Sequence, residues 1–292
     1  MTREVFKMKI GFIGTGVMGK SMAEHIGDKL YIYNRTKEKA RSLIEQGHIW
    51  CDTPAEVAAQ SDIIFTMLGY PADVETIYLA PDGLINNGKQ GQIFIDCTTS
   101  SPELAQKINQ EADKKGIYVL DAPVSGGDIG AKNGTLNVMV GGDEAIFDRV
   151  KPLIDKFSSA VTYFGDAGNG QHTKMANQIA IATNMIGMAE SLYYAHRAGL
   201  DVEKVLETIS KGAAGSWSLS HLAPRILKED YAPGFYTHHF LKDMSIALEE
   251  TKKMGIELPG LELSCKLYSS LSDELKETTG THVIYQYYTQ AR

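Results

Sequence analysis

Several clusters in this sequence combine residue types and spacings that suit chemistry. The first is Gly14-Thr15-Gly16-Val17-Met18-Gly19, which follows a compact β-branched run at 9–13 and opens a helical segment. Alone, this spacing is a weak signal, because small flexible turns match it by chance. Between a strand and a helix it reads as a cradle for a dinucleotide pyrophosphate. The first glycine allows the tight turn, the second lets the backbone approach the pyrophosphate, and the third lets the helix pack on the strand. Free N–H groups and the helix dipole then favour the anion. Gly27 supplies a helix end. The competing reading is a glycine-rich turn with no ligand.

The end of the second strand carries Tyr33-Asn34-Arg35-Thr36. A site for NAD commonly has an acidic residue about 20 positions beyond the glycine loop, where it binds the ribose hydroxyls. Asn34 is neutral and does not repel a 2′-phosphate. Arg35 pairs with such a phosphate through its planar fork, and Thr36 adds a hydroxyl donor or caps the next helix. These residues predict NADP, with NAD as the weaker alternative. A solvated surface role for Arg35 is the competing reading.

Further along, Asp121-Ala122-Pro123-Val124-Ser125-Gly126-Gly127 ends a strand in a turn rich in exposed donors. Ligands in open α/β sheets sit at strand C-termini. Gly168-Asn169-Gly170 leads into Lys174, with Asn177 and Gln178 about one turn later on the same helical face. His239-Phe240-Leu241-Lys242-Asp243-Met244 opens a later helix.

The elements that must position these groups follow from periodicity. Short apolar runs at 9–13, 30–33, 63–67, 93–96 and 118–121 alternate with helix-like stretches such as 37–46 and 102–115. Strands separated by helices mean βαβ units and a parallel sheet, and runs at 136–140 and 160–164 are expected to extend it. The turn cluster Gly165-Asp166-Ala167-Gly168-Asn169-Gly170 closes this pattern. From 171 to 196 there is no proline, only Gly187 is a weak breaker, and apolar residues fall on nearly all faces, which predicts a buried helix. No convincing strand follows. The expected class is α/β: an N-terminal Rossmann, doubly wound parallel sheet at 1–167, then an all-helical domain at 168–292 that carries substrate and subunit contacts.

These segments, in this order over nearly the whole chain, resemble the β-hydroxyacid dehydrogenase family. That family includes 3-hydroxyisobutyrate dehydrogenase, tartronate semialdehyde reductase and glyoxylate/succinic semialdehyde reductases. The resemblance implies a Rossmann domain, a long interdomain helix, a helical C-terminal domain, and a homodimer or homotetramer joined through the helical domains. It also implies that Lys174 is the catalytic lysine, that Ser125 and Gly126 contact the substrate carboxylate, and that Thr99 lies near the nicotinamide. Met67 and Leu68 match the loop along the cofactor, and Lys242 a cofactor-side lysine. The sequence departs from the family pattern at Gln178, where many members have Asn, and at Thr98, where Ser is common; both keep hydrogen-bonding ability.

Residue chemistry supports the same assignment. Carbonyl reduction places negative charge on oxygen as hydride arrives, and a positioned ammonium polarises that oxygen and delivers a proton. Asn177 and Gln178 are placed to hold the lysine or a substrate hydroxyl. Ser125 and the backbone N–H groups of Gly126 and Gly127 are neutral donors suited to a carboxylate. The expected activity is hydride transfer between NADP and a short 3-hydroxy acid or its semialdehyde. A non-catalytic NADP-binding sensor and an imine reductase are the alternatives. The sensor needs no pairing of Ser125 with Lys174, and imine reductases, by resemblance, usually lack a lysine at position 174. His172 falls about 160° from Lys174 around the helix and reads as a turn or surface residue. Trp217 is expected either to line the pocket or to be buried in packing.

Bulk composition agrees. The chain has 292 residues, 43% hydrophobic and 22% charged, enough for two ordinary domains. A net charge of −7 argues against nucleic acid and anionic membranes as partners. No apolar run is long enough to span a bilayer, and the first nine residues lack the apolar stretch of a secretory signal. Cys51, Cys97 and Cys265 show no metal or disulfide spacing, and neither His238 nor His239 has a partner at zinc spacing. These features point to a cytoplasmic protein without a metal.

Overall fold

The computed structural model describes residues 8–27 and 29–290, and the expectation about the leader falls largely outside them. The chain divides into two compact units, one ending at Lys174 and one beginning at Met175.

The first unit is built on strands β1 (Ile10–Ile13), β2 (Tyr31–Tyr33), β3 (Ile49–Trp50), β4 (Ile63–Thr66), β5 (Ile93–Asp96) and β6 (Tyr118–Asp121). They form one sheet in the order β3-β2-β1-β4-β5-β6, with every neighbouring pair parallel. This is the doubly wound arrangement, whose order reverses between β1 and β4 and so opens a crevice at their C-terminal ends. Successive side chains of each strand enter opposite cores. Phe12, Phe65, Ile95 and Leu120 pack on one side, and Ile13, Ile64, Phe94 and Val119 on the other. A sheet covered on both faces needs near-continuous apolar strands, which is why the runs were visible without alternation.

Helix starts follow from local chemistry. Ser101 accepts from Leu104 N at 3.1 Å and Pro102 occupies the first position of Pro102–Asp113; Thr53 and Pro54 repeat the arrangement for Pro54–Gln60. The expected helix at 37–46 is a 3₁₀ turn, Lys37–Ala40, running into the short helix Arg41–Glu45.

One topological expectation is corrected. The runs at 136–140 and 160–164 do not extend the parallel sheet. They form β8 (Leu136–Val140) and β9 (Ser158–Tyr163), which build a separate three-stranded sheet with β7 (Val124–Ser125) in the order β7-β8-β9. β7 and β8 are antiparallel, β8 and β9 parallel. The chain leaving β6 meets the end of β8 at the bridge between Asp121 and Gly141, then turns through Pro123, whose carbonyl accepts from Met139 N at 3.0 Å, into β7. A short strand-like run reports an extended segment, not which neighbour it pairs with: β8 alternates buried and open positions, and β9 has no buried residue. β3 and β7, of two residues each, are too short to leave a pattern.

The second unit is helical. Its described elements after the long helix Asn169–Arg197 include Val202–Ile209, Trp217–His221, Thr237–Met254 and Pro259–Ser269. Its core gathers Met185, Leu192, Phe240, Met244, Leu261 and Tyr268. The expectation that the long helix is buried on nearly all faces is corrected: Ala176, Ala180, Thr183, Gly187, Glu190 and Tyr194 form an exposed stripe, with Tyr194 at 74% exposure. Alanine and glycine are apolar but small, so leaving them in water costs little. Among the described residues no helix is long and apolar enough to cross a membrane.

Candidate active site

The glycine loop shows three different reasons for its three glycines. Gly14 has φ +94°, and a Cβ there would lie 2.1 Å from the Met67 carbonyl oxygen. A Cβ on Gly19 would lie 1.9 Å from the carbonyl oxygen of Gly14. These two are held by close backbone packing. A Cβ on Gly16 meets nothing within 4 Å. Gly16 therefore opens space beside the N-terminus of the ten-residue helix Val17–Ile26, whose second residue is Met18. Gly16 and Val17 are both exposed.

Thr15 adds an independent sign of a ligand. Its N–H donates to Asn34 Oδ1 at 2.9 Å, while its buried Oγ1 has no hydrogen-bond partner. Buried polar atoms are rarely left unpaired unless another group completes them. An open glycine, an orphaned hydroxyl and a helix N-terminus fit a dinucleotide pyrophosphate.

Asn34 is engaged at both ends of its amide: besides accepting from Thr15 N, it donates to the Thr36 carbonyl at 2.8 Å. It shapes the loop and holds β2's end against it. Arg35 extends into solvent, 85% exposed, and pairs with Asp73 at 3.0 Å. Lys37, two residues on, holds its ammonium 4.9 Å above the Trp50 ring. The sequence reading did not single out Asp73, because it lies 38 residues from its partner.

Beyond β4, Met67 N donates to the Ile13 carbonyl at 2.9 Å and Leu68 N donates to Thr98 Oγ1 at 2.8 Å. Thr98 thus ties the Met67–Leu68 loop to the end of β5, and half-buried Thr99 follows it. Thr66 Oγ1 donates to Asp96 Oδ1 at 2.8 Å, and Thr98 N donates to the same oxygen at 3.1 Å. Burial pushes the Asp96 carboxyl up to about 6, against hydrogen bonds from Thr98 and Thr66 that hold it down.

Asp121 anchors the start of the long helix. Gly168 N donates to its Oδ1 at 2.7 Å and Gln171 N to its Oδ2 at 2.8 Å. Burial raises this carboxyl, and those two N–H groups oppose the rise. The Gln171 side chain accepts from Ser100 N at 3.0 Å and donates to the Thr98 carbonyl at 2.7 Å. Lys174 follows three residues later on the same helical face and is buried, at 5% exposure. His172 is half-buried. Ser125 is half-buried in β7, paired in register with Asn137, and is followed by Gly126 and Gly127 at φ 132° and 64°.

The second unit carries its own polar chain. Asn177 Nδ2 donates to Gln178 Oε1 at 2.8 Å, and Gln178 Nε2 donates to Asp243 Oδ2 at 2.5 Å. Lys242 Nζ lies 3.1 Å from the other oxygen of Asp243. Gln178 and Asp243 are both about 1% exposed. Sequence reasoning picked Lys242 and Gln178 but gave Asp243, which joins them, no role. Burial pushes the neighbouring His239 imidazole down to about 4, helped by the charges of His238 and Lys242. Trp217 is not buried in packing: it is 64% exposed and its ring stacks on His221 at 4.6 Å. Among the described residues no group of three or more His, Cys, Asp or Glu could hold a metal.

Comparison with known proteins adds an independent line. The family profile described as the NAD binding domain of 6-phosphogluconate dehydrogenase matches residues 9–165. That described as NAD-binding of NADP-dependent 3-hydroxyisobutyrate dehydrogenase matches residues 168–288. The chain is 49% identical over 280 residues to probable 3-hydroxyisobutyrate dehydrogenase-like 1, mitochondrial, of Arabidopsis thaliana, covering 94% of this chain and 84% of that one. It is 36% identical over 266 residues to the 2-hydroxy-3-oxopropionate reductase of Escherichia coli strain K12, covering 90% and 91%. A solved structure of Mycobacterium tuberculosis 3-hydroxyisobutyrate dehydrogenase with L-serine superposes with a TM-score of 0.89 at 25% identity, covering 98% of this chain and 99% of that one.

Proposed function

This chain belongs to the 3-hydroxyisobutyrate dehydrogenase family of β-hydroxyacid dehydrogenases, which makes it an NAD(P)-dependent oxidoreductase, and on that premise we propose that it interconverts a short 3-hydroxy acid and its semialdehyde with NADP as the preferred cofactor. The observation that carries this reading is Lys174: a buried lysine three residues beyond Gln171, whose backbone and side chain are fixed in the unit that also holds the glycine loop. A solvated lysine would not need such a mount, nor would a sensor that only binds the dinucleotide.

Gly14, Thr15, Gly16, Val17, Met18 and Gly19 would hold the pyrophosphate, with Asn34, Arg35 and Thr36 at the adenosine ribose and Met67, Leu68, Thr99 and Lys242 along the remainder. When bound, the nicotinamide supplies or takes up the hydride. Lys174 directs its ammonium at the carbonyl oxygen, stabilises the growing negative charge there and passes it a proton; in the oxidation direction neutral Nζ takes that proton back. Ser125 and the N–H groups of Gly126 and Gly127 hold the substrate carboxylate, which fixes the carbon that faces the hydride. Asn177 and Gln178 keep the lysine or the substrate hydroxyl in place. Residues 1–167 carry the dinucleotide on this reading, and 168–292 the substrate and subunit contacts. The exposed stripe of the long helix supports a homodimer or homotetramer through the helical unit, and the unpaired cysteines support a reducing compartment such as the cytoplasm.

The test is turnover of glyoxylate and of succinic, methylmalonic and tartronic semialdehydes beside neutral aldehydes of the same length, with NADPH and NADH. The acids should show much higher kcat/KM, and Ser125→Ala should erode that preference. Equal rates with neutral aldehydes would remove the carboxylate anchor. No turnover of any acid would favour the sensor.

A further inference from the structure

We propose that Asp73 is a specificity-determining residue that, by pairing with Arg35, moderates the preference for a 2′-phosphorylated dinucleotide and keeps the unphosphorylated one as a second ligand. This rests on the dinucleotide reading of the glycine loop given above.

A carboxylate that binds a plain adenosine ribose is ordinarily found at the end of β2. Here that place belongs to Asn34, whose side chain is already committed to Thr15 N and the Thr36 carbonyl. The carboxylate comes instead from another segment. Asp73 is the third residue of the nine-residue helix Pro71–Leu79, which follows β4, and β4 lies beside β1 in the sheet. Its Oδ1 receives Arg35 Nη1 at 3.0 Å, and its Oδ2 lies 3.4 Å from where a Cβ on Gly69 would stand. The acid therefore sits between Arg35 and the loop that continues from Met67 and Leu68.

The two partners differ in freedom. The Arg35 side chain is 85% exposed and the Asp73 side chain 30%. Asp73 also stands in the first turn of its helix, where the dipole favours a negative charge. Asp73 is the more enclosed partner and Arg35 the more exposed one. An exposed ion pair of this kind is weak, so a 2′-phosphate can draw the guanidinium into a two-pronged contact. The phosphate then lies near a carboxylate of the same sign, which costs part of the gain. A plain ribose has no such conflict, because its 2′-hydroxyl can donate to Asp73 while the ion pair stays intact. One pair thus serves both ligands, and the carboxylate sets the ratio between them.

The experiment measures dissociation constants of NADPH and NADH by fluorescence titration, and of 2′-AMP and 5′-AMP by competition. It uses the full chain, Asp73→Asn, Asp73→Glu, Arg35→Ala and the Asp73→Asn/Arg35→Ala double variant. Asp73→Asn should tighten NADPH and 2′-AMP by roughly three- to fivefold, the worth of one exposed charge contact. NADH and 5′-AMP should bind equally well or more weakly. Asp73→Glu should keep the original ratio, and the Asp73→Asn gain for NADPH should shrink when Arg35 is absent. An NADPH-to-NADH ratio within about twofold of the original in Asp73→Asn, or equal tightening of both, overturns the proposal. Binding without turnover separates this inference from the enzymatic one. A chain that binds both dinucleotides but reduces no aldehyde acid loses the enzymatic reading alone. An unchanged ratio in an active Asp73→Asn loses this inference alone. A chain that binds neither dinucleotide loses both.

Discussion

The backbone N–H of Gln171 donates to the carboxylate of Asp121 at 2.8 Å, across 50 residues of sequence. With Gly168 N on the other oxygen, the carboxylate accepts two of the free N–H groups that surround a helix start. The Gln171 amide then grips Ser100 and Thr98 at the end of β5. Together these bonds fix the position and the rotation of the first helical turn, which leads to Lys174.

Gln171→Ala should therefore disturb the chemical step more than binding. It removes two buried hydrogen bonds without touching the glycine loop. The expected outcome is a loss of about 1–3 kcal/mol in unfolding free energy, a fall in kcat, and a dissociation constant for NADPH within about twofold of the original. Denaturant melts, steady-state kinetics and fluorescence titration separate the three. An unchanged kcat would mean that Lys174 does not depend on this mount.

Lys174→Ala should keep its dinucleotide affinity while kcat falls by roughly 10²–10⁴, the usual worth of general acid–base catalysis. Near-normal kcat would remove the lysine from the mechanism. Loss of both cofactor and substrate binding would assign it a structural role.

The three glycines of the loop should separate stability from binding. Gly14→Ala and Gly19→Ala force a Cβ into a carbonyl oxygen, at 2.1 and 1.9 Å, and should cost about 2–4 kcal/mol of stability. Gly16→Ala meets open space, so its melting temperature should stay nearly unchanged while its affinity for NADPH drops. If Gly16→Ala binds NADPH normally, the space beside Gly16 is not where the pyrophosphate lies.

Asp96 makes a pH-dependent contribution whose sign is fixed by its environment. Burial lifts its carboxyl from 3.8 to about 6, so the fold favours the protonated form. That contribution is fully present below about pH 3.8 and is lost as pH rises through about 6. Asp96→Asn keeps an acceptor oxygen for Thr66 and Thr98 N but carries no charge. Its stability relative to the unaltered chain should rise by about 1–3 kcal/mol between pH 4 and pH 8, read from urea unfolding at each pH. A pH-independent difference would show that Asp96 titrates as an ordinary carboxylate.

Gln178→Ala removes the donor that faces Asp243 Oδ2 and leaves a buried carboxylate oxygen short of a partner. A loss of about 1–3 kcal/mol in unfolding free energy is expected, with Gln178→Asn, which is one methylene too short to reach, giving little rescue. Chemical denaturation of both variants checks it; a neutral Gln178→Ala would mean that Lys242 alone satisfies Asp243.

The sequence by itself determined whatever depends on near neighbours. The β-branched run before Gly14, the helix-like stretch at 102–115 and the proline-free stretch at 171–196 are short-range signals, because turn sterics and helix periodicity act over a few residues. Asn34 and Arg35 were legible for the same reason: they sit at a fixed offset from the glycine loop. Tertiary structure decided what depends on residues far apart in the chain. Only packing shows that Gly14 and Gly19 are held by backbone contact and Gly16 by none. Asp73 reaches Arg35 because β4 lies beside β1, and Asp121 reaches Gln171 because the chain turns back after β9. Likewise the runs that became β8 and β9 had the look of strands, but the turn through Pro123 sent β7 against β8 and gave them a sheet of their own. The small residues of the long helix left it apolar by composition and exposed along one face in fact. Composition and local spacing limit which element a segment can form; partners are chosen by pairing and packing over the whole unit, and no local pattern encodes that choice.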